Sequence, residues 1–402
     1  MKKSIYMDYA ATTFVRQEVL DEILPYFKDY YSNPSSLYSF AEDSKKAIKL
    51  ARQRVASVIN SKEEEIYFTS GGSESDNWAI KGIAFANKDK GNHIITSQIE
   101  HHAVLNAAKF LEKNGFTVTY LPVDSDGFIK LEDLRNAITD KTILVSIMFA
   151  NNEIGTIEPI SEIGKLCKEK GVYFHTDAVQ VVGHLPIDVE SMNIDLLSMS
   201  GHKFYGPKGV GVLYVKKGVK IENLIHGGAQ EKGKRASTEN VPGIVGLGKA
   251  IEIAQSEQNF EIKRLTALRD KLIDGILNKV SNTKLNGPTG NLRLPNNVNI
   301  SFLGVEGETL LFDLDDAGVF VSTGSACASG SLEPSHVLLS IGLSHELAHG
   351  SIRLTLGLNT TEEDVDYVLE ILPKIIEKRR AMSPIWSEIV RKEEKISCTA
   401  KR

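Results

Sequence analysis

Seven short runs rich in apolar and β-branched residues recur over the first half of the chain, at residues 65–69, 93–96, 116–120, 142–148, 172–175, 194–198 and 210–215. Several are apolar nearly throughout, as strands buried on both faces are. Amphipathic helical patterns lie between most of them. One runs from residue 103 to 113 and is closed by Asn114-Gly115; another runs from 161 to 170 and is closed by Gly171. Strands alternating with helices predict an α/β chain whose sheet is largely parallel and covered on both sides.

The pattern changes after residue 220. Residues 221–240 are a Gly- and Lys-rich loop holding His226-Gly-Gly-Ala and Lys232-Gly-Lys-Arg-Ala-Ser-Thr238. Pro242 then opens a helical pattern that runs to about residue 280, long enough to bridge two domains. Beyond it come strand patterns at 297–302, 319–322 and 351–355, a helix at 307–316, and a final helix opened by Thr361-Glu-Glu-Asp364, which is similar to a capping box. These read as a smaller α+β domain. The expected division gives residues 13–258 to a large domain, and residues 1–12 with 259–402 to a small one. The polar stretch at 391–402 reads as a loose tail.

Composition narrows the function classes. The chain has 402 residues, 42% hydrophobic and 25% charged, which suits a soluble globular protein of two domains. A net charge of -5 gives no reason to expect nucleic acid or an anionic membrane as partner. No apolar run is long enough to span a bilayer, and the basic N-terminus has no apolar stretch behind it, as a signal peptide would. Three cysteines (Cys167, Cys327, Cys398) are too few for a disulfide framework and lack zinc spacing. The expected compartment is the cytosol.

Chemistry concentrates in Ser198-Met-Ser-Gly-His-Lys-Phe-Tyr-Gly-Pro-Lys-Gly209. Lys203 stands there in a tight polar turn at a strand end, where an amine that forms a Schiff base with an aldehyde cofactor is needed. Asp177 ends the 172–175 strand region; at the carboxyl end of a parallel strand its carboxylate points into a ligand crevice and suits a protonated pyridine nitrogen, or else it caps the next helix. Gln180 is placed to donate to a phenolic oxygen on the same ring. Thr69-Ser-Gly-Gly-Ser-Glu-Ser-Asp76 follows a strand and opens a helix. Its Gly72 and Ser73 backbone N–H groups suit a phosphate, while Ser73 with Asp76 also reads as ordinary capping. In Glu100-His-His-Ala103, His101 could stack on a ring and relay protons, with His102 as a solvated helix-start residue. In Asn151-Asn-Glu-Ile-Gly155, Asn152 could fix a phenolic oxygen, or the pair could simply form a turn.

Together these residues resemble the fold-type I, class V pyridoxal-phosphate enzymes, and within them a group I cysteine desulfurase of the kind that supplies sulfur for iron–sulfur clusters. The resemblance runs from Tyr6-Met-Asp-Tyr-Ala-Ala-Thr-Thr13 to Ala381-Met-Ser-Pro384 and is most specific in Gly324-Ser-Ala-Cys-Ala-Ser-Gly-Ser-Leu-Glu-Pro-Ser335. It implies a large domain with a mainly parallel seven-stranded sheet and a small domain carrying a catalytic cysteine loop at about residues 322–334. It implies Lys203 as the Schiff-base lysine, Asp177 at the pyridinium nitrogen, His101 on the ring, and Asn152 and Gln180 at the phenolic oxygen. Gly72, Ser73, Ser200 and His202 would hold the phosphate, with Thr238 reaching the phosphate of a neighbouring subunit in a homodimer. Arg353 would grip the substrate carboxylate as a bidentate fork, assisted by Asn33. Ser73 stands where many members have Thr, and Ser237 where many have Gly.

Cys167 shares a helix stripe with Ile163 and Leu166 and reads as a core residue. Cys327, among small residues with nothing to anchor it in a core, reads as a nucleophile. The implied chemistry is displacement of Lys203 by L-cysteine, removal of the Cα proton by the freed amine, and attack of Cys327 on the substrate sulfur. Alanine would leave. A persulfide would remain on Cys327 for transfer to an iron–sulfur scaffold protein, with transient ligation of a cluster by Cys327 during transfer and no intrinsic metal site. His345-Glu-Leu-Ala-His349 matches the zinc-protease pattern literally, but Ser344 and Gly350 leave it barely one helical turn. An aminotransferase or selenocysteine lyase of the same class would explain Lys203, Asp177 and His101, though not a thiol in a Gly/Ser loop.

Overall fold

The computed structural model describes residues 4–323, 334–384 and 386–387. Cys327, Cys398, most of the 322–334 loop and the 391–402 tail lie outside the described residues.

After a short β1 (Ile5–Tyr6), the expected strands form with ends shifted by a few residues at most: β2 (Ile66–Thr69), β3 (His93–Ser97), β4 (Thr117–Leu121), β5 (Thr142–Ser146), β6 (Tyr173–Asp177), β7 (Leu196–Ser200) and β8 (Gly211–Val215). Among the described residues they build a seven-stranded sheet in the order β2-β8-β7-β6-β5-β3-β4. β8 runs antiparallel to both its neighbours, and the remaining pairs are parallel. The other strands therefore end on one common edge. Every residue of β3, β5, β7 and β8 is buried. Successive side chains alternate between two apolar layers: Val145, Leu197 and Val212 enter one, Leu144, Leu196 and Leu213 the other.

The topology places a crevice. β3 pairs with β4 on one side and β5 on the other, so the winding reverses between β3 and β5. Ligands of open α/β sheets sit at such a reversal, beyond the carboxyl ends of the strands. That edge carries His101 after β3, Asn152 after β5, Asp177 at the end of β6 and Lys203 just after β7.

The long helix spans Val241–Lys279, 39 residues. Its first half packs Ile244, Leu247 and Ile251 against the main sheet. Its second half packs Leu265, Leu272 and Ile276 into a separate apolar cluster that also takes Ile5, Met7 and the helix Glu362–Ala381. Beside that cluster lies a second sheet built from β9 (Thr283–Leu285), β10 (Asn297–Phe302), β12 (Ser322–Thr323) and β13 (Ser351–Thr355), in the order β12-β13-β10-β9 and antiparallel throughout. The strand expected at 319–322 is two. β11 (Val319–Phe320) pairs in parallel with β1, whereas β12 pairs with β13, and the chain changes sheet at Val321. The capping box of the last helix forms as read: Thr361 accepts from the Asp364 N–H, and Asp364 accepts in return from the Thr361 N–H.

Candidate active site

Lys203 closes a 3-10 turn, Gly201–Lys203, directly after β7. Its Nζ donates to the Ala10 carbonyl at 2.5 Å and the Ala11 carbonyl at 2.9 Å. Gln180 Nε2 donates to the same Ala10 carbonyl at 3.0 Å, which brings Gln180 and Lys203 together over one backbone oxygen. The turn behind Lys203 is held firmly. Tyr205 takes a φ of +66°, rare for a bulky residue. Its N–H donates to Thr13 Oγ1 and its hydroxyl accepts from the Leu358 N–H.

Asp177 is buried at the end of β6, and its Oδ1 accepts from the Val179 N–H at 2.9 Å. Burial raises its carboxyl to about 6, against the opposing pull of Lys203. His101 is the N-cap of the helix His102–Glu112, and its Nδ1 accepts from the Ala103 N–H at 3.1 Å. The ring proton is therefore on Nε2. Burial, with the Lys203 charge second, pushes His101 down to about 4, so it is neutral at physiological pH. His102 packs against His336, ring centroids 4.9 Å apart, rather than facing solvent alone.

The helix Gly72–Ala86 begins beside Ser200. Thr69 and Ser200 are each paired with Gly211 of β8, which aligns the end of β2 with the end of β7. The N-cap is Gly71, without a side-chain cap. The Ser73–Asp76 capping alternative does not form: Ser73 is exposed, and Asp76 turns inward and is buried. A Cβ at Gly72 would stand 2.7 Å from Val179 Cγ2, so glycine keeps the helix N-terminus close to the loop after Asp177. His202 Nδ1 lies 3.0 Å from Thr12 Oγ1. Thr238 is exposed. Its loop is pinned to the same helix by Arg235, which makes two bonds to Glu74, at 2.8 and 3.0 Å.

Arg353 is buried on β13 between β10 and β12. Its Nη1 donates to the Asn152 carbonyl at 3.0 Å and its Nη2 to Asp8 Oδ1 at 2.9 Å, while Nε is buried without a hydrogen-bond partner. Asn151 takes the turn role, its Oδ1 accepting from the Glu153 and Ile154 N–H groups. That leaves Asn152 buried at the rim. Asn33 is exposed and its Oδ1 accepts from the Ser35 N–H. Cys167 is buried as expected, its thiol pushed up to about 12. His345–His349 is a helix of five residues.

The residues at this edge fit pyridoxal phosphate. The helix N-terminus at Gly72 with Ser200 and His202 suits an anion. Asp177, dry and anchored, suits a pyridinium nitrogen, and Lys203 lies in the same crevice. Sequence reasoning missed Asp8, the Ala10 and Ala11 carbonyls, the Arg235–Glu74 pair and the Ser335 hydroxyl on Glu153 (2.5 Å). Each is a partner remote in sequence or a backbone atom, with no local signature.

Residues 5–368 match the family Aminotransferase class-V. Over 397 residues the chain is 68% identical to "Cysteine desulfurase IscS" of Clostridium botulinum, covering 98% of this chain and 100% of that one. The chain belongs to the aminotransferase class-V family, in its cysteine desulfurase group. A solved structure described as a NifS-like protein matches this enzyme with a TM-score of 0.88 at 41% identity, over 93% of this chain and 99% of that one. Another, described as SspA in complex with cysteine, matches with a TM-score of 0.79 at 41% identity, over 88% and 99%. Class V enzymes of this kind depend in general on pyridoxal phosphate. Among the described residues no helix is long and apolar enough to cross a membrane.

Proposed function

We propose that this enzyme removes sulfur from L-cysteine with pyridoxal phosphate as cofactor, giving L-alanine and a persulfide on Cys327. The observation that carries the reading is the convergence of Lys203, Asp177, His101 and the Gly72 helix start at one sheet edge, in a chain so close to named cysteine desulfurases. When bound, the cofactor supplies an electron sink for charge that develops at the substrate Cα. Lys203 would hold the cofactor through its aldehyde, and its Nζ, once free, would take the Cα proton. Asp177 keeps a proton on the ring nitrogen. His101, neutral with its proton on Nε2, covers the ring. Asn152 and Gln180 orient the phenolic oxygen, and Gly72, Ser73, Ser200 and His202 bind the phosphate. Arg353, with Asn33, seats the substrate carboxylate. Cys327 Sγ forms a bond to the substrate sulfur as the Cβ–S bond breaks, its electron pair staying with the carbon skeleton.

The sulfur then passes to an iron–sulfur scaffold protein, with Cys327 ligating a cluster only in transit, and the reaction runs in the cytosol. The working unit is a homodimer in which Thr238 completes the partner's phosphate site. Residues 14–50 support this, with Phe27, Tyr31 and Leu37 exposed at 65%, 69% and 97%, a surface a second copy would cover. The large domain is residues 13–258, and residues 1–12 with 259–402 form the small one.

The test is alanine and sulfide release from L-cysteine by cofactor-loaded protein with a thiol reductant, beside Cys327→Ala. Equimolar products that disappear in the variant, with its cofactor colour intact, support the reading. A coloured wild type that releases neither product overturns it and brings forward aminotransfer.

A further inference from the structure

Beneath Asp177 the sheet holds a buried group of polar side chains that the chemistry above does not use. His175, two residues earlier on β6, is fully buried. Its Nδ1 lies 2.8 Å from Ser146 Oγ on β5, and its Nε2 lies 2.9 Å from Ser198 Oγ on β7. Asp76, from the helix Gly72–Ala86, is buried at 1% exposure and faces Ser198. Its Oδ1 has no hydrogen-bond partner and stands 3.7 Å from His175 Nε2, beyond hydrogen-bond reach. Glu100 also lies within electrostatic reach, its Oε1 satisfied by Ser97 and the Met148 N–H and its Oε2 buried without a partner.

An ionised Asp76 would need donors on both oxygens in so dry a place. An ion pair with His175 fails as well, because both ring nitrogens are taken by hydroxyls and burial pushes the imidazole down to about 3. Every charge facing Asp76 argues the same way. Asp177 and Glu100 are carboxyls, and both raise it along with burial. Three carboxyls in one dry floor cannot all ionise, and Lys203 favours the charge on Asp177.

We propose that Asp76 is a positioning residue of the site: it stays protonated, donates to Ser198, and through Ser198 fixes His175 with its proton on Nδ1 toward Ser146, sealing a neutral floor that leaves the negative charge on Asp177. The proposal rests on Asp177 being the cofactor's nitrogen partner.

The experiment uses purified holoenzyme of wild type, Asp76→Asn, Asp76→Ala and Asp177→Asn. It reads the pH midpoint of the cofactor's visible band and the Tm. Asn is neutral and can donate as the acid does, so Asp76→Asn should keep the midpoint within about 0.3 unit. Asp76→Ala breaks the chain and admits water beside Asp177, and should move the midpoint by about 0.5–1 unit. A midpoint unmoved in Asp76→Ala with only Tm lowered would reduce Asp76 to a structural role. A shift in Asp76→Asn as large as in Asp76→Ala would mean that Asp76 carries charge; either result overturns the proposal. An unmoved midpoint in Asp177→Asn would instead remove Asp177 from the cofactor and refute the underlying reading.

Discussion

Arg353→Lys tests the substrate site most directly. The guanidinium is fixed on both terminal nitrogens, by the Asn152 carbonyl at 3.0 Å and by Asp8 at 2.9 Å, with a third N–H buried and unpaired. On the role proposed for Arg353, a substrate carboxylate would meet a fork that matches its two oxygens. Lysine keeps the charge but offers one point instead of two parallel bonds. Losing one charge-assisted bond costs about 1.5–3 kcal/mol, and at about 1.4 kcal/mol per tenfold that is a fall in kcat/KM of roughly 10- to 150-fold. The carboxylate is bound alike before and during the reaction, so the loss belongs in KM with kcat nearly held. Alanine formation across a range of L-cysteine concentrations measures both, and Tm separates misfolding from misbinding. A kcat/KM within about twofold of wild type at unchanged Tm would refute the assignment of Arg353 as carboxylate receptor. So would a loss confined to kcat.

Further outcomes follow from the same geometry. Asp8→Asn removes the anion that holds Arg353 Nη2 and should lower KM, since the substrate no longer competes for the fork; a raised KM in the same alanine assay would show that Asp8 orients Arg353 instead. Lys203→Ala should abolish turnover and the visible band of the bound cofactor, read by absorbance on protein that still melts cooperatively. Gly72→Ala puts a Cβ 2.7 Å from Val179 Cγ2 and should weaken cofactor retention about tenfold in equilibrium dialysis, with little change in Tm. Glu100 is raised to about 8 by burial, from an ordinary value of 4.5. The folded protein therefore keeps a proton that the unfolded chain gives up, and wild type loses stability as pH rises from about 4.5 to 8, at about 1.4 kcal/mol per unit. Glu100→Gln lacks that penalty, so its stability relative to wild type in urea unfolding should climb by up to about 3 kcal/mol between pH 5 and 7; a flat difference contradicts it.

The main sheet was legible because burial on both faces forces strands to be apolar throughout, and the helices between them force a parallel winding. The direction of β8 was not legible. A strand buried on both faces reads the same in either direction, and only its pairing with Phe68 and Met199 reveals that it runs against its neighbours. The run at 319–322 misled for a related reason. Its residues suit a strand throughout, but the change of sheet at Val321 is set by where β1 and β13 lie, and neither is near in sequence.

The site divides along the same line. Lys203, Asp177, His101 and Arg353 are visible in the sequence because each is a reactive type in an unusual local setting: a turn, a strand end, a helix start. What holds them is not visible. Ala10 and Ala11 receive the lysine amine through backbone oxygens, and any residue there would supply the same atoms. Asp76 reads as a cap at the start of its helix, because one helix seen alone offers a carboxylate in the first turns nothing else to do. Its position against His175 and Ser198 exists only once β6 and β7 are laid side by side, with His175 opposite Leu196 and Asp177 opposite Ser198. Sheet register, not local pattern, decides which polar groups share the dry floor. Protonation states there follow from that company, so the charge on Asp177 is a property of the assembled sheet.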